Sequence, residues 1–98
     1  MAGKKMSGEI VRKKLIFTGN VQFVGFRFQS KYIADTLGLT GYVENLENGD
    51  VLMEVQGEES VIRELILRLH ERKPIRIDFI EEEDLPVKKR EKGFRYMW

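Results

Sequence analysis

Apolar and polar positions alternate along this chain with two periods, and together they outline its elements. The run KKLIFT, Lys13 to Thr18, is apolar and β-prone and predicts a short strand ending at Gly19. A few residues on, Phe26, Ser30, Ile33, Ala34 and Leu37 recur at helical spacing. Gly38 stands where a helix can close in the left-handed conformation, with Leu39 placed to fold back over Ile33 or Ala34. Two β-like runs then flank Asn48-Gly49, a dipeptide able to take the positive φ values of a tight hairpin, so the second and third strands are antiparallel neighbours. Val61, Ile62, Leu65, Ile66 and Leu69 mark a second helix. Glu58 and Glu59 lie at its positive end, Arg68, Arg72 and Lys73 toward its negative end, and Pro74 stops it. Ile75, Ile77 and Phe79 alternate with Arg76 and Asp78 as a half-buried strand running into the acidic EEED. A polar linker, Pro86 to Lys92, leads to GFRYMW, where Phe94, Tyr96 and Trp98 alternate as a short last strand.

The order βαββαβ plus a short fifth C-terminal strand predicts an α+β, ferredoxin-like split βαβ fold, with two helices on one face of a mainly antiparallel sheet. A single domain spans residues 13–98. Residues 1–12 mix Lys, Gly and Ser without periodicity and are expected to form a loose tail. Many unrelated functions use this plan, so function must come from a site.

Composition narrows the choice. Seventeen basic against sixteen acidic residues leave a formal charge of +1, too little to draw the chain to nucleic acid or to an anionic membrane. There is no cysteine, which removes disulfides, thiolate metal sites and cysteine nucleophiles, and the lone histidine argues against a histidine metal site. The N-terminal stretch has no apolar core of a leader, and no eighteen apolar residues run together. The expectation is a soluble, cytoplasmic monomer with no cofactor and no metal.

One stretch carries candidate chemistry. GNVQFVGFR, Gly19 to Arg27, joins the first strand directly to the first helix. Unpaired amides and the dipole at a helix start favour an anion there, and glycines allow successive N–H groups of Asn20, Val21, Gln22, Phe23, Val24 and Gly25 to converge. Arg27, in the first helical turn, offers a planar fork that can hold two phosphate oxygens. From these residues alone the loop reads equally well as a tight turn followed by a solvated arginine. Asn45 alone reads better as a strand-end residue bonding the nearby turn. His70 reads as solvated and has no assigned role. Lys88, Lys89, Arg90 and Lys92 read as a solvated linker.

The loop, with LGLTGYVENLENGDV and VQGEE beyond it, resembles the acylphosphatase family from about Leu15 to the terminal GFRYMW. Gly19, Val21, Gln22, Val24, Phe26 and Arg27 match that family's signature G-x-V-Q-G-V-x-F-R. Gly41, Val43, Asn45, Gly49 and Val51 match its second, G-x-V-x-N-x-x-x-G-x-V. The resemblance implies hydrolysis of small-molecule acyl phosphates to carboxylate and phosphate, without a metal or a covalent intermediate. It implies that Arg27 and the loop amides bind the phosphoryl group, that Asn45 orients the attacking water, and that inorganic phosphate or sulfate competes.

Phe23 departs from the pattern, standing where the family signature has its central glycine. If that position needs positive φ, the residue either accepts a strain of roughly 1–2 kcal/mol or re-routes the loop. Gly25 is an alternative place for the bend, which would leave Phe23 as a roof over the site. Lower activity than a full-motif relative is therefore expected, with Phe23→Gly faster. The competing reading is a non-catalytic or weakly active anion-binding module on the same fold. A third is a nucleic-acid-binding domain stacking bases on Phe94, Tyr96 and Trp98.

Overall fold

The structure is a computed structural model and describes residues 8–97. Its elements are β1 (Ile10–Asn20), α1 (Phe26–Leu37), β2 (Thr40–Asn45), β3 (Val51–Glu58), α2 (Glu59–His70), β4 (Arg76–Leu85) and β5 (Phe94–Tyr96). The five strands form one sheet in the order β4-β1-β3-β2-β5, every pair antiparallel except β2 with β5. This is the α+β, ferredoxin-like arrangement expected, with the added fifth strand. Among the described residues, no helix is long and apolar enough to cross a membrane.

Alternation decides which residues meet the helices. Val11, Leu15 and Phe17 of β1, Val43 of β2, and Val51, Met53 and Val55 of β3 are buried against Phe26, Ile33 and Ala34 of α1 and Ile62, Leu65 and Leu69 of α2. Phe17 and Phe26 pack with ring centroids 4.9 Å apart, fixing the start of α1 over the end of β1. The end of α1 is as expected: Leu39 is buried, and its N–H donates to Ala34 O at 2.9 Å.

Four details differ from the sequence expectations. β1 begins at Ile10, so residues 10–12 belong to the sheet and not to the tail; residues 1–7 and Trp98 lie outside the described residues. The hairpin connection runs from Leu46 to Asp50, longer than a two-residue turn. Only Gly49 of the Asn48-Gly49 pair takes positive φ, while Asn48 Oδ1 accepts from the Asp50 N–H at 3.0 Å. β4 does not keep the alternation of Ile75, Ile77 and Phe79. The register shifts between Thr18 and Gly19, which face Phe79 and Ile77, and this bulge turns Ile80 toward the core and leaves Phe79 63% exposed. Gly19 permits it, because a Cβ there would stand 2.2 Å from Arg76 O.

The Pro86–Lys92 linker is exposed over most of its length but tied down at two points. Lys88 exchanges two hydrogen bonds with the Gln56 carboxamide, each 2.9 Å, and Glu91 reaches Arg12. Arg12 lies on the sheet face opposite the helices and is nonetheless 1% exposed. Its guanidinium donates to Glu91 at 2.6 and 3.1 Å, to Glu54 at 3.0 Å and to Gln56 at 3.1 Å. Burial is the largest single influence on the Glu91 carboxyl and acts to raise it, but hydrogen bonds from Arg12 and Thr40 and the charges of Arg12 and Lys88 together outweigh it and hold Glu91 below its ordinary value of 4.5. A carboxyl lowered in the folded state stabilises the fold above its ordinary pKa, and that contribution is lost as pH falls through the lower folded value. Removing Arg12 leaves two carboxylates without their partner, so Arg12→Ala is expected to cost about 3 kcal/mol and lower Tm by roughly 10–20 °C at neutral pH. Thermal unfolding from neutral pH down through the carboxylate range checks this. The variant should lose less stability than wild type on acidification.

Candidate active site

The site forms at the end of the sheet where β1, β2 and β5 finish. β1 delivers the loop from Val21 to Gly25, which turns into α1. Val21 is buried and anchors the start of the loop in the core. Phe23 (φ 63) and Gly25 (φ 80) both adopt the left-handed conformation, so both candidate positions for the bend are used. Of the two outcomes expected for Phe23, strain or re-routing, the residue shows the first. Its φ lies in the region that glycine adopts without steric cost, and the residue is 95% exposed. Among the described residues, no backbone carbonyl accepts a hydrogen bond of good geometry from the amides of Gln22 to Gly25; main-chain bonding resumes with Gln29 N–H to Gly25 O at 2.9 Å. The amides lie at the positive end of α1.

Two side chains hold the loop in place. Asn20 Nδ2 donates to Pro74 O at 3.0 Å. Gln22 Nε2 donates to Leu46 O at 2.7 Å and Asp50 O at 2.8 Å, the carbonyls that open and close the β2–β3 connection. Gln22 thus couples the loop to the end of β2, where Asn45 sits one residue before Leu46.

A cleft of about 160 Å³ opens between these parts, and its walls include Phe23, Gly25, Arg27, Phe28, Asn45 and Tyr96. Arg27 and Asn45, far apart in sequence, are therefore brought to one cavity. Arg27 is half-buried; its guanidinium carbon lies 5.7 Å from the centroid of the Tyr96 ring, and Nη1 donates to Met97 O at 2.6 Å. These contacts fix the plane of the fork. Asn45 is half-buried, and among the described residues its carboxamide makes no hydrogen bond; the turn beyond it is tied by Asn48 and Gln22 instead. His70 is exposed at the end of α2, as the solvated reading expects. Phe94 is buried and Tyr96 is half-buried under Arg27, so neither offers an open stacking platform for bases. Tyr96 and Phe28 as cleft walls were not foreseen from sequence. The signal would have been the parallel pairing of Tyr96 with Val43, two residues before Asn45, which no periodicity reveals.

A loop whose amides have no main-chain acceptor of good geometry, a guanidinium fixed by Tyr96 and Met97, and a carboxamide without a hydrogen-bond partner among the described residues meet around one small cleft at a helix start, on an α+β ferredoxin-like fold. The sequence profile of the family described as acylphosphatase matches residues 13–96. An acylphosphatase of Clostridium perfringens is 49% identical over 86 residues, 87% of this chain and 97% of that protein. One from Caldanaerobacter subterraneus subsp. tengcongensis is 42% identical over 82 residues, 83% of this chain and 91% of that protein. The solved structure of an acylphosphatase from Coxiella burnetii superimposes with a TM-score of 0.81 at 30% identity, covering 99% of this chain and 100% of that one. The chain belongs to the acylphosphatase family and is an enzyme acting on acyl phosphates.

Proposed function

We propose that this enzyme hydrolyses acyl phosphates by holding the phosphoryl group on the loop amides and Arg27 while Asn45 orients the attacking water. The observation that carries the reading is the meeting of Arg27, Gly25 and Asn45 on one cleft at the helix start. Water attacks phosphorus as the bond from phosphorus to the acyl oxygen breaks; the carboxylate departs with the bonding pair, and the water's protons remain on the product phosphate or pass to solvent. A carboxylate is a good leaving group, so no strong acid or base is required of the protein. What remains is positioning and stabilisation of charge on the equatorial oxygens, which fixed amides and a guanidinium supply. All parts come from one chain, which fits action as a monomer, and inorganic phosphate or sulfate competes for the same cradle.

Release of phosphate from benzoyl phosphate, with inorganic phosphate as competitor, tests this. Saturable hydrolysis inhibited competitively by phosphate is expected; no hydrolysis despite phosphate binding would leave an anion-binding module.

Phe23 adds a prediction on stability. Its left-handed backbone costs roughly 1–2 kcal/mol, and full exposure means that little burial is lost with the ring. Glycine adds unfolded-state entropy of about 0.5–1 kcal/mol, so Phe23→Gly should gain on the order of 0.5–1 kcal/mol and raise Tm by a few degrees. Thermal unfolding of the two proteins side by side decides it.

A further inference from the structure

We propose that Phe23 and Phe28 form an aromatic clamp for the acyl part of the substrate, making this enzyme selective for aromatic or bulky apolar acyl phosphates over small ones. The inference rests on the hydrolase reading above and adds to it the class of acyl group. Phe23 is the only non-glycine residue with positive φ among those described, and it is 95% exposed. Stability explains neither fact: the backbone is strained, and the ring packs against almost nothing. A strained residue kept without burial belongs where a ligand arrives. Phe28, one residue past Arg27, is 61% exposed and borders the same cleft.

The geometry of the substrate places its acyl group here. The cradle holds the phosphoryl group at the helix start, and in-line displacement directs the leaving carboxylate away from the attacking water and out through the cleft mouth. Phe23 and Phe28 both line the cleft and are both exposed to solvent. A wider groove of about 400 Å³ continues from it, sharing Phe28 and Tyr96 and running along Lys31, Phe94 and Arg95. An aromatic acyl group would lie between the rings and against Tyr96, while an acetyl group would not reach both rings.

The test is kcat/KM for benzoyl phosphate and for acetyl phosphate in wild type, Phe23→Asn, Phe23→Tyr and Phe28→Ala. Asparagine tolerates the left-handed conformation, so Phe23→Asn removes the ring and keeps the loop path. The benzoyl-to-acetyl ratio should fall roughly three- to tenfold in Phe23→Asn and in Phe28→Ala, mainly through KM, and should be kept in Phe23→Tyr. An unchanged ratio in both ring-deleted variants overturns the clamp. So does an equal rise on both substrates, which would mark Phe23 as an impairment of the cradle. Wild type hydrolysing neither substrate overturns the hydrolase reading itself, an outcome distinct from hydrolysis of both with a ratio indifferent to the rings.

Discussion

Arg27→Ala is expected to lower kcat/KM for an acyl phosphate by three orders of magnitude or more and to abolish competition by inorganic phosphate, since it removes the fixed charge on the transferring group. Arg27 also holds the chain end through Met97 O and the Tyr96 ring, so folding must be measured in the same variant. Arg27→Lys separates the two roles. It retains the charge without the fork, and should recover part of the phosphate affinity but little of the rate. If Arg27→Ala still binds phosphate with wild-type affinity, the guanidinium is not the anchor of the phosphoryl group.

Asn45→Ala should behave differently. Losing one preorganised polar group typically costs two to three orders of magnitude in kcat. The inhibition constant for phosphate should nevertheless stay close to that of wild type, because the carboxamide places the water and does not hold the anion. A variant that loses phosphate affinity in step with turnover would contradict that division. Asn45 ends β2 without a side-chain partner among the described residues, so its truncation leaves no buried group stranded and should cost little stability.

The helices and the core were legible because their signals are local. Leu65, Leu69 and Ile33 repeat at helical spacing, Gly38 closes α1, and each of these positions is where the spacing places it. Arg27 and Asn45 were legible as a pair only through resemblance, since no spacing links a helix start to the end of a strand eighteen residues later. What escaped the sequence depends on pairings between distant segments. The bulge opposite Gly19 reverses the faces of β4, so Phe79 looked buried and is exposed. Arg12 looked like part of a polar tail, yet Glu54, Gln56 and Glu91 converge on it from β3 and the linker. Tyr96 reached the cleft because β5 lies parallel to β2. Phe23 was legible as an anomaly, while the choice between strain and a re-routed loop required the backbone itself.

The most direct measurement is a crystal structure of the protein grown with inorganic phosphate. One phosphate is expected in the cleft, its oxygens about 2.7–3.1 Å from the amides of the Gln22–Gly25 loop and from the Arg27 guanidinium, with Asn45 facing the side open to water. A cleft left empty at saturating phosphate, with the loop amides turned onto the protein's own carbonyls and Arg27 turned away, would contradict it.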